Sequence, residues 1–156
     1  MKLLENKIAV VTGAARGIGE AIALKLAEHG AHIAFSYVSD SSADKAAALV
    51  TKLESLGVKA KAYQSNAGDF AQSEQFVNDV VKEFGSIDVC VNNAGISKDN
   101  LLLRMTPEQW DDVMNINLKS VFNMTKQALP GMTDRKWGRV INVSSVKIGR
   151  ASCRER

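Results

Sequence analysis

The chain is poor in the residues and segments that mark disulfide-rich, disordered and membrane-spanning proteins. Its 156 residues include 2 cysteines, 2 prolines and 2 histidines, and aromatic residues make up 6% of the sequence. Cys90 lies in an apolar segment and Cys153 in the tail, so we expect no structural disulfide and a reducing, cytoplasmic location. Polar residues from Glu5 to Lys7 interrupt the N-terminal apolar run, and no uncharged run is long enough to span a membrane. We also expect no bound metal.

The chain also lacks an excess of charge over most of its length. The formal net charge is +3, but residues 147–156 hold four basic residues and one acidic residue, whereas the preceding 146 residues carry 16 of each. No basic face follows from this composition, so we expect no nucleic-acid partner. With 46% hydrophobic residues, the chain has the composition of one soluble domain, or most of one.

Five short apolar runs rich in valine and isoleucine alternate with helical patterns. They cover residues 7–12, 31–37, 58–63, 87–93 and 139–145. Such an alternation predicts parallel strands covered by helices on both faces. We therefore expect an α/β fold with a Rossmann-type doubly wound parallel sheet, truncated after the fifth strand.

Apolar residues at helical spacing predict four helices between these strands. The last is predicted as one long helix that begins with a capping box at Thr106 and Gln109, with Pro107 in its first turn. The expected apolar faces are Ile18, Ile22 and Leu26; Ala46, Val50 and Leu53; Phe76, Val77, Val80, Val81 and Phe84; and Trp110, Val113, Met114, Leu118, Val121 and Phe122.

The first strand runs directly into the glycine-rich segment TGAARGIG, residues 12–19, which opens the first helix. Glycines at 13, 17 and 19 allow a tight turn and a close approach of backbone to a phosphate, and the helix N-terminus offers unpaired N–H groups. The segment therefore predicts a dinucleotide pyrophosphate site. A tight turn between strand and helix without a ligand is the alternative.

The spacing TGxxxGxG occurs with three further motifs in order: NNAG at 92–95, a segment around Asn117, and INVSS ending at Ser145. Together they resemble the classical short-chain dehydrogenases/reductases over residues 1–146. The segments GISKDNLLLRM (95–105) and NLKSVFNMTK (117–126) resemble the branch that reduces 3-oxoacyl groups on acyl carrier protein. Residues 1–146 are thus predicted to be an incomplete NAD(P)-binding Rossmann domain.

The resemblance implies a set of cofactor-binding residues. These are Gly13, Ala14, Ala15, Arg16, Gly17, Ile18 and Gly19 at the pyrophosphate and adenosine ribose, Tyr37 and Val38 after the second strand, Asn66 and Ala67 flanking adenine, and Asn93, Ala94 and Gly95 beside the nicotinamide ribose. For NNAG, a purely structural turn at the strand end is the alternative.

The cofactor choice depends on the end of the second strand, where an acidic residue would select NAD. Tyr37 occupies that position and carries no charge, and Arg16 offers a positive charge to a 2′-phosphate. NADP (NADPH) is therefore favoured. Asp40 would reverse this preference if its loop folds back, and a solvated loop arginine is the alternative for Arg16.

Asn117 falls on the apolar face of the predicted fourth helix, so we expect a buried amide with hydrogen-bond partners. The resemblance implies that Asn117 holds a water in a proton relay, and a structural bond to a neighbouring element is the alternative. It also implies that Ser145 polarises the substrate carbonyl. Ser144 takes that role if the register differs by one residue.

The tyrosine and lysine of the family's YxxxK motif are not found in these residues. Four positions after Tyr37 stands Ser41, and four after Tyr63 stands Ala67. Residues 147–156 depart from the family pattern, and codons can be chosen so that 148–156 spell a common sequencing-library adapter. We therefore expect 147–156 to be a non-native tail and the chain to be an inactive fragment.

The resemblance implies that the parent enzyme, a tetramer or other homo-oligomer, reduces 3-oxoacyl to 3-hydroxyacyl thioesters on acyl carrier protein in fatty acid biosynthesis. Lys136, in the segment TDRKWGR at 133–139, is the expected contact with the acidic carrier, or else lies in an ordinary solvated loop. Reduction of another ketone and a non-catalytic nucleotide-binding module remain as alternatives.

Overall fold

The computed structural model describes residues 2–144 and has a five-stranded parallel sheet. The strands are β1 (Ile8–Val11), β2 (His32–Tyr37), β3 (Ala60–Gln64), β4 (Val89–Asn92) and β5 (Arg139–Asn142). Their order is β3-β2-β1-β4-β5, and every neighbouring pair is parallel. The predicted doubly wound sheet is confirmed. The order reverses between β1 and β4, which is where ligands bind in such sheets.

The described residues form five α-helices, and all but the fourth pack against the sheet. They are α1 (Gly17–Glu28), α2 (Ala43–Ser55), α3 (Phe70–Phe84), α4 (Pro107–Met114) and α5 (Ser120–Asp134). Alternate residues of β1 enter different cores: Ala9 and Val11 pack with α1 and α2, whereas Ile8 and Val10 pack with α3 and α5. Within residues 2–144 no helix has both the length and the apolar character needed to cross a membrane.

The buried side of α1 differs from the predicted stripe. Gly19, Ala23 and Ala27 are buried, whereas Ile18 is 68% exposed. The helix lies so close to the end of β1 that only small residues fit between them, and this close approach overrides hydrophobic periodicity. The predicted stripes of α2 and α3 hold better, although Val81 of α3 is also exposed.

The helix predicted from Thr106 is not one uninterrupted α-helix. Its start is confirmed, because the Thr106 hydroxyl accepts a hydrogen bond from the Gln109 backbone N–H and the Gln109 side-chain oxygen accepts one from the Thr106 backbone N–H. A π-helical turn (Asn115–Lys119), hereafter the π-turn, separates α4 from α5. The π-turn shifts the helical register, so the predicted apolar face is not continuous.

Much of that face is exposed because no element within residues 2–144 covers it. Its members Trp110, Met114, Leu118 and Phe122 are all exposed, as are the strand residues Val140 and Ile141 of β5. An apolar groove of about 770 Å³ runs between α5 and β5. The opposite side of α5, with Met124 and Ala128, is buried against α3 and the sheet.

Candidate cofactor and active site

The glycine-rich turn after β1 has the conformation that its glycines allow. Gly13 and Gly17 have φ angles of +65° and +61°, in the region where a side chain is disfavoured. A Cβ at Gly19 would lie 2.6 Å from Asn93 Nδ2 and 2.7 Å from the Gly13 carbonyl oxygen. The chain can therefore turn this tightly, with α1 this close to Asn93, only because these positions are glycine.

Thr12 anchors this turn to the end of β4. The Thr12 hydroxyl accepts hydrogen bonds from the backbone N–H groups of Asn93 and Ala94, both at 3.0 Å. The Asn93 amide donates back to the Thr12 and Gly13 carbonyls at 2.9 and 3.2 Å. The NNAG segment thus has the structural role left open above. Sequence reasoning missed Thr12, although a polar residue closing an apolar strand was a visible signal.

The turn is also attached to β2. The Gly13 N–H donates to the Ser36 hydroxyl at 3.3 Å, and the Ala14 N–H donates to the Ser36 carbonyl at 3.1 Å. Ala14 and Ala15 are buried in the core, so the exposed part of the turn is residues 16–18. Ser36, another residue that sequence reasoning missed, is a polar residue inside an otherwise apolar strand.

The first turn of α1 lies at the carboxyl end of β1. Arg16 precedes the helix in an extended conformation, and in the described part of the chain no side chain caps this end. The first-turn N–H groups and the helix dipole therefore favour an anion here. The Arg16 side chain is exposed beside this end and adds a positive charge.

Several hydroxyl groups lie close together after β2, in the segment that is expected to select between NAD and NADP. Tyr37 ends the strand half-buried and Val38 is exposed. The Ser39 hydroxyl lies 2.9 and 3.0 Å from those of Ser41 and Ser42. These hydroxyls form a cluster of hydrogen-bond donors and acceptors beside the end of the strand.

Asp40, the acidic residue that could reverse the cofactor preference, has a partner of its own. Its carboxylate accepts a hydrogen bond at 2.8 Å from the Gln64 amide at the end of β3. Because β3 lies on the outer side of β2, this bond directs the Asp40 carboxylate away from α1.

Asn66 and Ala67 form a tight loop after β3. The Asn66 side-chain oxygen accepts from the Gly68 N–H at 2.9 Å, and the Asn66 N–H donates to the Gln72 side chain at 2.9 Å. Ala67 is buried, and its carbonyl accepts from the Asn123 amide at 2.9 Å and the Ser73 hydroxyl at 3.1 Å. The loop is thus shaped by bonds to α3 and α5.

A cavity of about 410 Å³ opens where the carboxyl ends of β1, β4 and β5 meet. It is lined by Ile18, Asn93, Ala94, Gly95, Ile96, Asn117, Val143 and Ser144. Strand pairing explains why they converge, because Asn92 lies opposite Asn142 and the Val143 N–H donates to the Asn92 carbonyl at 2.9 Å. The cavity brings together the predicted NNAG segment, Ile18 and Asn117.

The expected burial of Asn117 is wrong. Asn117 lies in the π-turn and is exposed, as are most residues of the predicted apolar face around it. Its amide still has two partners: the oxygen accepts from the Ile96 N–H at 2.8 Å and the nitrogen donates to the Ile96 carbonyl at 2.9 Å. The structural bond left open above is therefore present, and it joins the π-turn to the loop after β4.

Of the two candidate serines, Ser144 lines the cavity. Ser145 lies outside the described residues, as does the segment 147–156. No tyrosine or lysine is among the described residues that line the cavity. Tyr63 packs against Phe76, and burial, reinforced by Glu83 and Asp79, raises the pKa of Tyr63 to about 12, the opposite of what a proton donor needs.

Comparison with known proteins gives a consistent picture. A family model described as short chain dehydrogenase matches residues 7–153. The 3-oxoacyl-[acyl-carrier-protein] reductase FabG of Staphylococcus epidermidis is 48% identical over 141 residues, covering 90% of this chain and 57% of that protein. The reductase of the same name from Thermotoga maritima is 45% identical over 143 residues, covering 92% of this chain and 57% of that protein. The chain thus spans 57% of the length of these curated relatives.

Solved structures share the same architecture. A blue fluorescent protein from a metagenomic library, in complex with NADPH, superimposes with a TM-score of 0.88 at 43% identity, covering 94% of this chain and 60% of that one. A mutant short-chain dehydrogenase/reductase from Serratia marcescens gives a TM-score of 0.85 at 35% identity, covering 92% of this chain and 57% of that one.

Proposed function

Because the chain belongs to the short-chain dehydrogenase/reductase family of oxidoreductases, we propose that residues 1–146 bind NADPH across the carboxyl ends of β2, β1 and β4. The observation that carries the proposal is the close approach of Gly19 to Asn93 and Gly13, which leaves exposed backbone at the N-terminus of α1. This cradle fits a pyrophosphate, since a side chain at Gly19 would push α1 away from the turn.

The arrangement along the cleft supports one role for each group of residues. The turn from Gly13 to Gly19 holds the pyrophosphate, Asn66 and Ala67 flank the adenine, and the segment from Asn93 to Gly95 lies beside the nicotinamide ribose. When bound, NADPH supplies the hydride for carbonyl reduction. The residues of the chain orient the cofactor and the carbonyl and exclude water.

NADP is preferred over NAD in this proposal because of the charges after β2. Tyr37 brings no carboxylate to the ribose, and Arg16 and the cluster of serine hydroxyls provide a cation and donors for a 2′-phosphate. The nearest carboxylate along the chain, Asp40, is bonded to Gln64. Arg16→Ala should therefore weaken NADPH binding much more than NADH binding.

The proposed reaction of the parent enzyme is reduction of a 3-oxoacyl group carried on acyl carrier protein, supported by the two related reductases. Lys136 is exposed in the tight turn that follows α5, and this position supports docking of an acidic carrier. Lys7 and Arg139 contact the Trp137 ring at 4.0 and 5.3 Å and add positive charge nearby.

Ser145 is proposed to donate a hydrogen bond to the substrate carbonyl, and Asn117 to take part in a proton relay at the cavity. The 156 residues hold no YxxxK motif to supply the proton. This favours a second candidate for the 156-residue polypeptide, a nucleotide-binding module without catalysis. Resequencing the source DNA across the Val146 codon tests whether residues 147–156 are native.

Calorimetric titration with NADPH and NADH, together with a turnover assay on an acetoacetyl thioester, tests the proposal. We expect NADPH to bind more tightly than NADH and turnover to be at least a hundredfold below that of an intact reductase, because the general acid is worth about 10² to 10⁴ in rate. Absence of binding to both nucleotides would remove the cofactor proposal. Turnover at an ordinary rate would show that the proton comes from another group.

A further inference from the structure

Asn123 is a buried amide that neither the sequence pattern nor the proposed reaction accounts for. It lies in the first turns of α5 and has no solvent exposure. Its nitrogen donates to the Ala67 carbonyl at 2.9 Å, and its oxygen has no hydrogen-bond partner within residues 2–144. A buried acceptor without a partner costs free energy, so the residue is a poor choice for stability alone.

The bond from Asn123 reaches the loop after β3 across a separation of 56 residues. The same loop contacts the π-turn, because a Cβ at Gly68 would lie 2.6 Å from Ile116 Cδ1 and 3.4 Å from the Asn115 carbonyl oxygen. Six residues before Asn123, Asn117 makes its paired bonds to Ile96 in the loop after β4. One continuous segment, 115–123, therefore touches two loops at the same edge of the sheet.

We infer that Asn123 is a positioning residue for the adenine end of the cofactor cleft. The inference rests on the proposed function, in which Asn66 and Ala67 flank the adenine. The Asn123 amide holds the Ala67 carbonyl toward α5, which turns the Ala67 backbone and the preceding Asn66 toward the cleft. Asn117 holds the other loop through Ile96, so the two amides position opposite ends of the same ligand.

The test measures the affinity of the 156-residue chain for NADPH and for 2′,5′-ADP, which carries only the adenine half. Asn123→Leu keeps the side-chain size and removes the amide. We expect Asn123→Leu to weaken the binding of NADPH and of 2′,5′-ADP by the same factor of about five to ten, which is the effect of one lost hydrogen bond. Met124→Ala is the matched control. Met124 is an equally buried neighbour in α5 without a bond to the loop.

Met124→Ala should lower the melting temperature of the chain. At temperatures where this variant is folded, its affinities for NADPH and for 2′,5′-ADP should be unchanged. If Asn123→Leu leaves 2′,5′-ADP binding unchanged, or changes it no more than Met124→Ala does at equal loss of stability, the inference is wrong. If the unsubstituted chain binds neither ligand, the proposed function itself fails.

A second variant covers the case in which Asn123→Leu does not fold. Asn123→Ala removes the same amide with a smaller side chain, so the Ala67 carbonyl keeps only the Ser73 hydroxyl as a donor. The same loss of 2′,5′-ADP and NADPH affinity is expected. Unchanged affinity for both ligands in a folded Asn123→Ala variant would overturn the inference.

Discussion

Replacing Gly19 with alanine separates two effects of opposite sign. Gly19 lies in the first turn of α1, and helix propensity by itself favours alanine over glycine by about 1 kcal/mol. The new methyl group, however, would lie 2.6 Å from Asn93 Nδ2, 2.7 Å from the Gly13 oxygen and 2.8 Å from Ala14 Cα. Two of these three atoms belong to the backbone, so the strain cannot be relieved by rotating one side chain.

Overpacking in a close-packed site costs about 1–3 kcal/mol, and three contacts below 3.0 Å point to the upper end of that range. We therefore expect Gly19→Ala to lower the free energy of unfolding by about 2 kcal/mol after the propensity gain is subtracted. Because relief of the contacts moves α1 away from the turn, NADPH affinity should fall at least tenfold, a loss of about 1.4 kcal/mol of binding free energy.

Urea denaturation followed by circular dichroism measures the first effect, and calorimetric titration with NADPH measures the second. Gly131→Ala is the matched control. Gly131 is also helical, and the atom nearest to the position that its new methyl group would occupy is the flexible Arg135 Nη1 at 3.2 Å. The free energy of unfolding of Gly131→Ala should rise by up to about 1 kcal/mol. A Gly19→Ala variant that is as stable as the unsubstituted chain and binds NADPH equally well would refute the steric reasoning.

Three further predictions concern other parts of the chain. Thr12→Val should destabilise the fold by about 2–3 kcal/mol in urea denaturation, more than Thr12→Ser, because only valine leaves two backbone N–H groups without their acceptor; the reverse order would contradict this. Burial raises the pKa of the Cys90 thiol to about 12 from 9.0, so the unfolded chain loses this proton first. Stability should fall between pH 9 and 12 by at most about 1.4 kcal/mol per pH unit, and an equal alkaline slope in Cys90→Ala would exclude this cause. The apolar groove between α5 and β5 should make the chain self-associate in size-exclusion chromatography and Leu118→Lys should reduce this, whereas a clean monomer of the unsubstituted chain would count against it.

Local patterns in the sequence were sufficient for the order of elements and for the start of α4. Short valine- and isoleucine-rich runs separated by helical stripes predict β1 to β5, and all five are present with ends shifted by at most three residues. The capping box at Thr106 was legible because it depends on two side chains three residues apart. These features involve neighbours in the chain, so the sequence contains all of their determinants.

The candidate site was predictable in its glycine turn but not in its supporting contacts. Asn117 lies in a π-turn that the sequence did not predict, because no residue type marks where a helix changes its register. Thr12, Ser36 and Asn123 bond to residues 81, 23 and 56 positions away. Each is a single polar residue in an apolar pattern. Such a residue indicates that its side chain needs a hydrogen-bond partner, but the sequence does not identify that partner.

The sequence by itself thus determined the βαβ order, the family and the position of the glycine-rich turn, because periodicity and glycine spacing act over a few residues. Only the tertiary structure decided which loops support that turn and which face of each helix is buried. Ile18 is exposed and Gly19 buried because α1 lies close to the turn after β1 and to Asn93 after β4, not because of its own hydrophobic pattern. Such outcomes depend on distances between elements far apart in the chain, and packing at those contacts outweighs the local preference of any one residue.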